Sequence, residues 1–283
     1  MLGIIGTIPE NCFPQTTGQA FVQGKELIID QKRIPINRGT PAMVAAAAET
    51  LEYLSKPAPF CYLAGDIGDG KGCKLLYEYL EANLAASTFK VLTFHYFQPD
   101  VVLFKKVLKK LDSIKDRPLM VADAGFMYVA KMGGDSKHFD LFTPDAGELA
   151  YLADEQAPHP FYTRGFILHE DNQVPELIKR AYKHDNAAAY LLVKGAKDYL
   201  ANREGIINTV DSPSVEELEA IGGTGDTLTG IVSALMASGM EITTAASKAS
   251  KINRLAGAYS DPTPATQIYE IIKQIPRSLK EVL

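Results

Sequence analysis

The chain has 283 residues, of which 46% are hydrophobic and 22% are charged, as in ordinary globular proteins. Its formal net charge of −5 argues against non-specific binding to nucleic acid or to an anionic membrane surface. The three cysteines form no CxxC pair, which argues against a disulfide framework or a zinc site and favours reduced thiols in the cytoplasm. No apolar run approaches the roughly 18 residues of a membrane span, so no transmembrane helix is predicted.

Short apolar runs alternate with helical segments along most of the chain. Six runs are candidate strands buried on both faces of a sheet: Leu2–Ile5, Phe60–Leu63, Val91–Phe94, Leu119–Ala122, Phe139–Phe142 and Tyr190–Val193. The helical segments between them are Pro41–Leu54, Lys74–Leu84, Val101–Ile114, Gly147–Ala153 and Val174–Tyr182. This order predicts a single α/β domain over residues 1–283, with a central, mostly parallel sheet flanked by helices.

The remaining segments depart from this alternation. Val22–Ile29 is predicted to form a hairpin, and Tyr199–Val210 further strands. Three helices are then predicted in succession, at Asp226–Ser238, Ile242–Tyr259 and Pro264–Ile275. Residues 156–171 are rich in proline and aromatic side chains, which a flexible linker would lack. We expect an ordered loop there, either a lid or a contact between identical subunits of a homo-oligomer.

Polar or glycine residues follow five of the candidate strands. They are Gly65–Asp66, His95–Tyr96, Asp123–Ala124, Thr143–Asp145 and Lys194–Gly195. Ligands of open parallel sheets bind beyond the carboxyl ends of the strands, so this edge is the candidate site. Lys194 and Asp123, each at the end of a buried run, need a charged partner or solvent. The histidine and tyrosine could stack on a ligand ring or simply pack a loop.

The glycine-rich segment Gly222–Gly230 carries the most chemical information. Glycines before a helix allow a ligand to approach the backbone, and the unpaired N–H groups and the helix dipole favour an anion. The segment therefore predicts a phosphate site at Gly222, Gly223, Thr224 and Gly225. Asp226 beside it is placed to accept a proton from a hydroxyl that attacks the phosphate. The alternative is that Thr224 or Asp226 merely caps the helix.

A second glycine-rich stretch, Gly65–Gly72, follows another candidate strand. Its Gly68 and Gly70 are candidate substrate contacts, because their backbone could approach a ligand. A tight turn is the alternative. A calcium loop is a weaker interpretation, since no glutamate stands at the terminal bidentate position.

Gly222–Gly230 resembles the glycine signature of the ribokinase-like superfamily, and its closest branch is the ADP/ATP-dependent NAD(P)H-hydrate dehydratases. Three further segments are similar to that branch and occur in the same order: Val121–Ala124, Phe142–Leu149 and Leu192–Gly195. The resemblance covers residues 119–239, a little under half of the chain. It implies a three-layer ribokinase-like fold.

The resemblance also implies roles for single residues. Asp226 would be the catalytic base, and the backbone of residues 223–225 would form the anion hole. Lys194 would lie near the nucleotide phosphates, and Glu148 would hold Mg²⁺ through water. Because Glu148 lies near the start of a predicted helix, a capping role is the alternative for it.

Asp123 would contact the substrate or the network of water around the metal. Asp145 is a further candidate substrate contact, although the dehydratases usually carry a histidine at one of the two positions occupied here by Asp145 and Ala146. Gly68 and Gly70 have the spacing of part of a glycine loop found in that branch.

The implied reaction uses ADP or ATP to phosphorylate a hydroxyl on a damaged dihydronicotinamide ring, after which phosphate is eliminated. The expected partners are therefore a nucleotide and a small-molecule substrate, with Mg²⁺. The alternative is a kinase that only phosphorylates a sugar, pyridoxal-type or thiazole alcohol. A nucleotide-binding regulator without catalysis is a third hypothesis.

Overall fold

The computed structural model describes residues 1–84, 89–160 and 174–283. Within these residues the strands are β1 (Leu2–Ile8), β2 (Thr16–Gln23), β3 (Glu26–Ile29), β4 (Lys32–Pro35), β5 (Phe60–Gly65), β6 (Val91–His95), β7 (Leu119–Ala122), β8 (Leu141–Phe142), β9 (Tyr190–Val193), β10 (Asp198–Asn202) and β11 (Gly205–Val210). The helices are α1 (Thr40–Tyr53), α2 (Lys71–Asn83), α3 (Val101–Asp112), α4 (Gly125–Gly133), α5 (Ala146–Ala153), α6 (Val174–Lys183), α7 (Thr224–Ala237), α8 (Ile242–Tyr259), α9 (Ile268–Ile272) and α10 (Ile275–Val282).

The strands form one sheet in the order β11-β10-β9-β8-β7-β6-β1-β5-β2-β3-β4. Neighbouring strands from β9 to β5 in this order run parallel. Antiparallel strands extend the sheet at both edges. The carboxyl ends of the parallel strands therefore lie along one edge, where the predicted polar residues follow them.

Helices cover both faces of the sheet. Successive side chains of a strand point to opposite faces, so the neighbours Ile4 and Ile5 of β1 belong to different buried clusters. One cluster includes side chains of α1 and α7–α10, and the other includes those of α2–α6. This is the predicted three-layer architecture. That residues 1–283 form a single domain stays a prediction.

The structure corrects two of the predicted elements. The predicted strand Phe139–Phe142 is paired only at Leu141–Phe142, because the N–H of Phe139 bonds instead to Ser136 at the end of a 3₁₀ turn. Within the last predicted helix, Pro264–Ile275, only Ile268–Ile272 forms a helix, α9, and a further helix, α10, begins at Ile275. Pro276 lies in the first turn of α10, a position that tolerates its missing N–H. The hairpin prediction is confirmed, since β2 and β3 pair antiparallel.

Helices α1 and α7 pack at very close range. A Cβ added to Gly230 of α7 would lie 2.2 Å from the carbonyl oxygen of Met43 and 3.1 Å from Cβ of Ala46, both in α1. Only small residues permit this approach, and the buried middle of α1 is rich in alanine. The contact brings the N-terminal ends of both helices, Gly39–Thr40 and Thr224–Asp226, to the same edge of the sheet.

Among the described helices, none has the length and apolar character needed to cross a membrane. The predicted loop at residues 156–171 falls largely within residues 161–173, which lie outside the described residues.

Candidate active site

A cavity of about 490 Å³ opens at the carboxyl edge of the sheet. Its lining includes seven residues that the sequence analysis selected: Asp123, Asp145, Glu148, Lys194, Thr224, Gly225 and Asp226. These residues come from the segments that follow three strands, β7, β8 and β9, and from the start of α7. The tertiary structure therefore brings together most of the predicted site, and we call this space the first cavity.

The predicted anion hole lies at the start of α7. Gly223 precedes the helix with φ of 110°, a conformation that favours glycine, and no side chain of the described residues caps the helix. The capping alternative for Thr224 and Asp226 is therefore wrong. Thr224 and Gly225 line the first cavity, whereas Gly222 and Gly223 lie behind it against Arg38. A Cβ on Gly223 would approach Ile268 Cγ1 at 2.8 Å.

Asp226 is held on both of its carboxylate oxygens. The backbone N–H of Gly39 donates to Oδ2 at 2.6 Å, and Nε2 of His95 lies 3.0 Å from Oδ1. Burial by itself raises the pKa of Asp226, but the hydrogen bonds and positive charges around the carboxylate outweigh burial and hold its pKa below the usual range. The carboxylate is therefore charged at neutral pH and able to accept a proton.

Asp123 and Lys194 form a buried ion pair. The ammonium of Lys194 donates to both oxygens of Asp123, at 2.8 and 2.9 Å, and their side chains are 2% and 12% exposed for Asp123 and Lys194 respectively. Thr229 also donates to Asp123, at 2.6 Å. Burial lowers the pKa of Lys194, but the charges of nearby carboxylates outweigh burial and raise it. The predicted anionic partner of this lysine is thus Asp123.

Glu148 caps α5 and also faces the first cavity. Asp145 accepts the N–H of Glu148 at 2.8 Å, and Glu148 accepts the N–H of Asp145 at 2.9 Å, which completes a capping box. Burial, together with the charges of Asp123 and Asp145, raises the pKa of Glu148 to about 8. The capping interpretation is confirmed. The nearby carboxylates of Asp123 and Asp145 would also favour a cation beside Glu148.

A second cavity, of about 450 Å³, adjoins Gly39, whose N–H donates to Asp226. Its lining includes Arg38, Gly39, Thr40, Tyr96 and Gln98, and Tyr96 also lines the first cavity. The backbone of Tyr96 is strained, with φ of 50°, while Thr7 donates to its carbonyl at 2.7 Å. Its ring is half exposed. Asp226 thus lines the first cavity, and Gly39, which donates to it, lines the second.

The glycine-rich stretch Gly65–Gly72 folds onto one of its own side chains. Asp66 accepts the N–H groups of Gly68, Gly70 and Cys73 at 2.8, 3.1 and 2.9 Å. Gly68 lines the second cavity, whereas Gly70 lines a separate cavity of about 230 Å³. Their binding of substrate stays a prediction, but their amide groups are already paired within the turn.

Several site residues were missed by the sequence analysis. Asn253 donates to the carbonyl of Thr224 at 3.0 Å and so holds the start of α7. Arg254 bonds to Asp198 at 3.0 Å and to the carbonyl of Gly195 at 2.8 Å, which fixes one wall of the first cavity. Both lie on one turn of α8, where no motif distinguishes them from other polar residues.

His95 was selected for the wrong chemistry. The sequence analysis noted its place at a strand end and suggested ring stacking or loop packing. The structure instead buries it fully and turns its ring toward Asp226. The strand order explains the difference, because β6 lies between β1 and β7 and so delivers His95 beside Asp123. A buried strand ending in histidine was the available signal.

A family model described as NAD(P)H-hydrate dehydratase matches residues 99–277. An uncharacterized protein of Methanocaldococcus jannaschii is 41% identical over 242 residues, which cover 85% of this chain and 100% of that protein. The bifunctional NAD(P)H-hydrate repair enzyme Nnr of Hyperthermus butylicus is 36% identical over 105 residues, which cover 36% of this chain but only 19% of that enzyme.

Solved structures share the fold at low identity. The ADP/ATP-dependent NAD(P)H-hydrate dehydratase of Bacillus subtilis, co-crystallized with ATP and Mg²⁺, superposes with a TM-score of 0.59 at 13% identity, covering 100% of this chain and 90% of that one. The pyridoxal kinase of Staphylococcus aureus, in complex with pyridoxal, gives a TM-score of 0.56 at 13% identity, covering 90% and 87%. At such identities the similarity establishes a common fold and no more.

Proposed function

The chain belongs to the NAD(P)H-hydrate dehydratase family of ribokinase-like enzymes, as its motifs indicated, and we propose that it repairs hydrated NADH or NADPH at the expense of ADP or ATP. In this reaction the ring hydroxyl takes the terminal phosphoryl group of the nucleotide and gives up its proton. Phosphate then leaves the ring, and the intact reduced cofactor is restored. The overall products are the reduced cofactor, the shortened nucleotide and phosphate.

The observation that carries the proposal is the hydrogen bond between Asp226, which lines the first cavity, and Gly39, which lines the second. The first cavity adjoins the uncapped start of α7, where backbone N–H groups and the helix dipole favour phosphate. The second cavity lies beyond Gly39, which is bonded to the same carboxylate. We assign the nucleotide to the first cavity and the hydroxyl substrate to the second.

Asp226 then acts as the general base. A hydroxyl entering from the second cavity would give its proton to this carboxylate as its oxygen attacks the phosphoryl group. The N–H groups of Thr224 and Gly225 favour the negative charge that develops on the transferred group. Lys194, now paired with Asp123, would supply positive charge on the sheet side of the same cavity.

The charge of the first cavity supports a role for Mg²⁺. Seven carboxylate and two cationic side chains line it, counted over the described residues. An anionic nucleotide needs further positive charge there, and oxygen ligands suit Mg²⁺. Glu148 and Asp145 are the residues we assign to hold it, through carboxylate oxygens or bound water. The ion would neutralise the nucleotide phosphates.

A repair assay tests the proposal. Purified protein is mixed with hydrated NADH, ADP or ATP and Mg²⁺, and the return of reduced nicotinamide absorbance is followed. We expect nucleotide-dependent recovery for at least one hydrated cofactor. Nucleotide turnover on a small alcohol without any recovery would instead identify a kinase. Nucleotide binding without turnover on any substrate would identify a regulator.

A further inference from the structure

Both ring nitrogens of His95 have polar neighbours in a fully buried position. Nε2 lies 3.0 Å from Oδ1 of Asp226, and Nδ1 lies 2.9 Å from Oγ1 of Thr40. A carboxylate oxygen can only accept, so the proton of this contact sits on Nε2 of a neutral ring or of an imidazolium. In the neutral ring Nδ1 is an acceptor, and the hydroxyl of Thr40 can donate to it. The result is a chain of hydrogen bonds from Thr40 through His95 to Asp226.

We propose that His95 is a positioning residue that orients the carboxylate of Asp226 and keeps it in the charged form that accepts the substrate proton. With Gly39 on one oxygen and His95 on the other, the carboxylate has little freedom to rotate. The carboxylate also lines the first cavity. This inference rests on the proposed function for its kinetic consequences, but the contact itself can be measured without turnover.

A metal ion is the competing explanation for this cluster. Ligand atoms of His95, Asp123 and Asp226 all lie within 4.8 Å of one another, close enough to share a cation. Both oxygens of Asp123, however, accept from the ammonium of Lys194 at 2.8 and 2.9 Å. The ammonium of Lys194 would repel a divalent ion placed against the same carboxylate. The hydrogen-bonded arrangement is therefore favoured over a metal site.

Five groups that face Asp226 come from the ends of four elements. His95 approaches from β6, Lys194 from the end of β9, and the N–H of Gly39 from the start of α1. Asp123 at the end of β7 and the phenol of Tyr96 complete the surroundings. Burial raises the pKa of Asp226, and His95 is the strongest of the groups that oppose it. Removing the imidazole therefore raises the pKa of Asp226.

The test compares His95→Leu, His95→Gln and Thr40→Val with the parent protein. For His95→Leu we expect kcat to fall on the order of 10- to 100-fold, the effect of a hydrogen bond to a charged group. The acid limb of the kcat profile should move to higher pH, while nucleotide affinity changes little. His95→Gln keeps an N–H donor, so its kcat and its acid limb should lie between those of the parent and of His95→Leu. Thr40→Val should move the acid limb to higher pH as well, but by less than His95→Leu does.

Thr93→Val is the matched control. Thr93 is buried on the same strand and donates to Ser233 at 2.8 Å, away from Asp226. Its loss disturbs the same part of the core, so an equal shift of the acid limb in this variant would contradict the proposal. Circular dichroism establishes that each variant is folded. If His95→Leu does not fold, His95→Gln and Thr40→Val carry the comparison.

Carbon-13 NMR of the aspartate carboxyl groups makes the test independent of the reaction. The titration midpoint of Asp226, identified by its loss in Asp226→Asn, is measured in the parent and in folded His95 variants. An upward move without the imidazole supports the proposal, and an unchanged midpoint overturns it. If the parent shows no repair activity but the titration midpoint of Asp226 moves, the proposed function fails. The role of His95 in keeping Asp226 ionised would then still stand.

Discussion

The backbone N–H of Gly39 donates to Oδ2 of Asp226 at 2.6 Å, across 187 positions of sequence. Asp226 lies in the first turn of α7, and Gly39 is the residue that precedes α1. One carboxylate in the first turn of α7 therefore satisfies an otherwise unpaired N–H at the start of α1. This contact ties the proposed base to the close packing of the two helices.

Replacing Asp226 by asparagine tests the base directly. The amide oxygen can still accept from Gly39, but the side chain can no longer take up a proton. We expect turnover to fall by about 10²- to 10⁴-fold, the usual contribution of a general base. Nucleotide affinity, measured by isothermal calorimetry, should change little. Turnover close to that of the parent would show that another group accepts the proton.

Lys194→Met tests the buried ion pair. Without the ammonium the carboxylate of Asp123 stays buried and uncompensated, and breaking such a pair costs about 3–5 kcal/mol of unfolding free energy. Urea unfolding measures the loss. The double variant Lys194→Met with Asp123→Asn should regain part of that stability, because no charge is then left unpaired. Equal losses in the single and double variants would contradict the pairing.

Glu148→Gln tests the raised pKa of this carboxyl group. Its pKa is about 8 in the folded protein and 4.5 in a reference peptide, so between these values the folded state holds a proton that the unfolded state lacks. The stability of the parent should therefore fall as pH rises through this window. The glutamine variant should lose less stability over the same range, as thermal melts at about pH 5 and pH 8 will measure.

The same variant separates the two roles of Glu148. Glutamine preserves the capping box, since its oxygen can still accept from Asp145. Helix α5 should therefore survive the change. If Glu148 holds Mg²⁺, the ion should raise the melting temperature of the parent more than that of Glu148→Gln. Equal Mg²⁺ effects on both proteins would assign the ion to other residues.

Gly230→Ala tests the contact between α1 and α7. The new Cβ would lie 2.2 Å from the carbonyl of Met43, so the helices must separate. We expect a loss of about 1–3 kcal/mol in unfolding free energy, typical of an overpacked core, together with reduced activity. Gly147→Ala is the stability control, because a Cβ there meets only ordinary contact, at 3.4 Å from Asp145. That variant should be as stable as the parent or more so.

Sequence patterns predicted the layers of the fold because buried parallel strands are continuous apolar runs. They predicted less well where tertiary contacts end an element, as at Phe139 and in the last two helices. In the site, Lys194 and Asp123 could be selected because charged groups beside buried runs need partners, and Glu148 was selected through the family resemblance. Asn253 and Arg254 could not, since polar residues are ordinary on a helix.

The sequence alone determined that polar groups from several strands would meet at one edge, because parallel strands end on the same side of a sheet. It also placed Asp226 beside an anion-binding turn, through glycines adjacent to one another in the chain. Only the tertiary structure decided which groups hold that carboxylate. Gly39 contributes a backbone N–H, which every residue except proline has. The sequence therefore contains no side-chain signal for this contact. His95 reaches Asp226 because β6 lies beside β7, and strand order follows from packing of the whole chain.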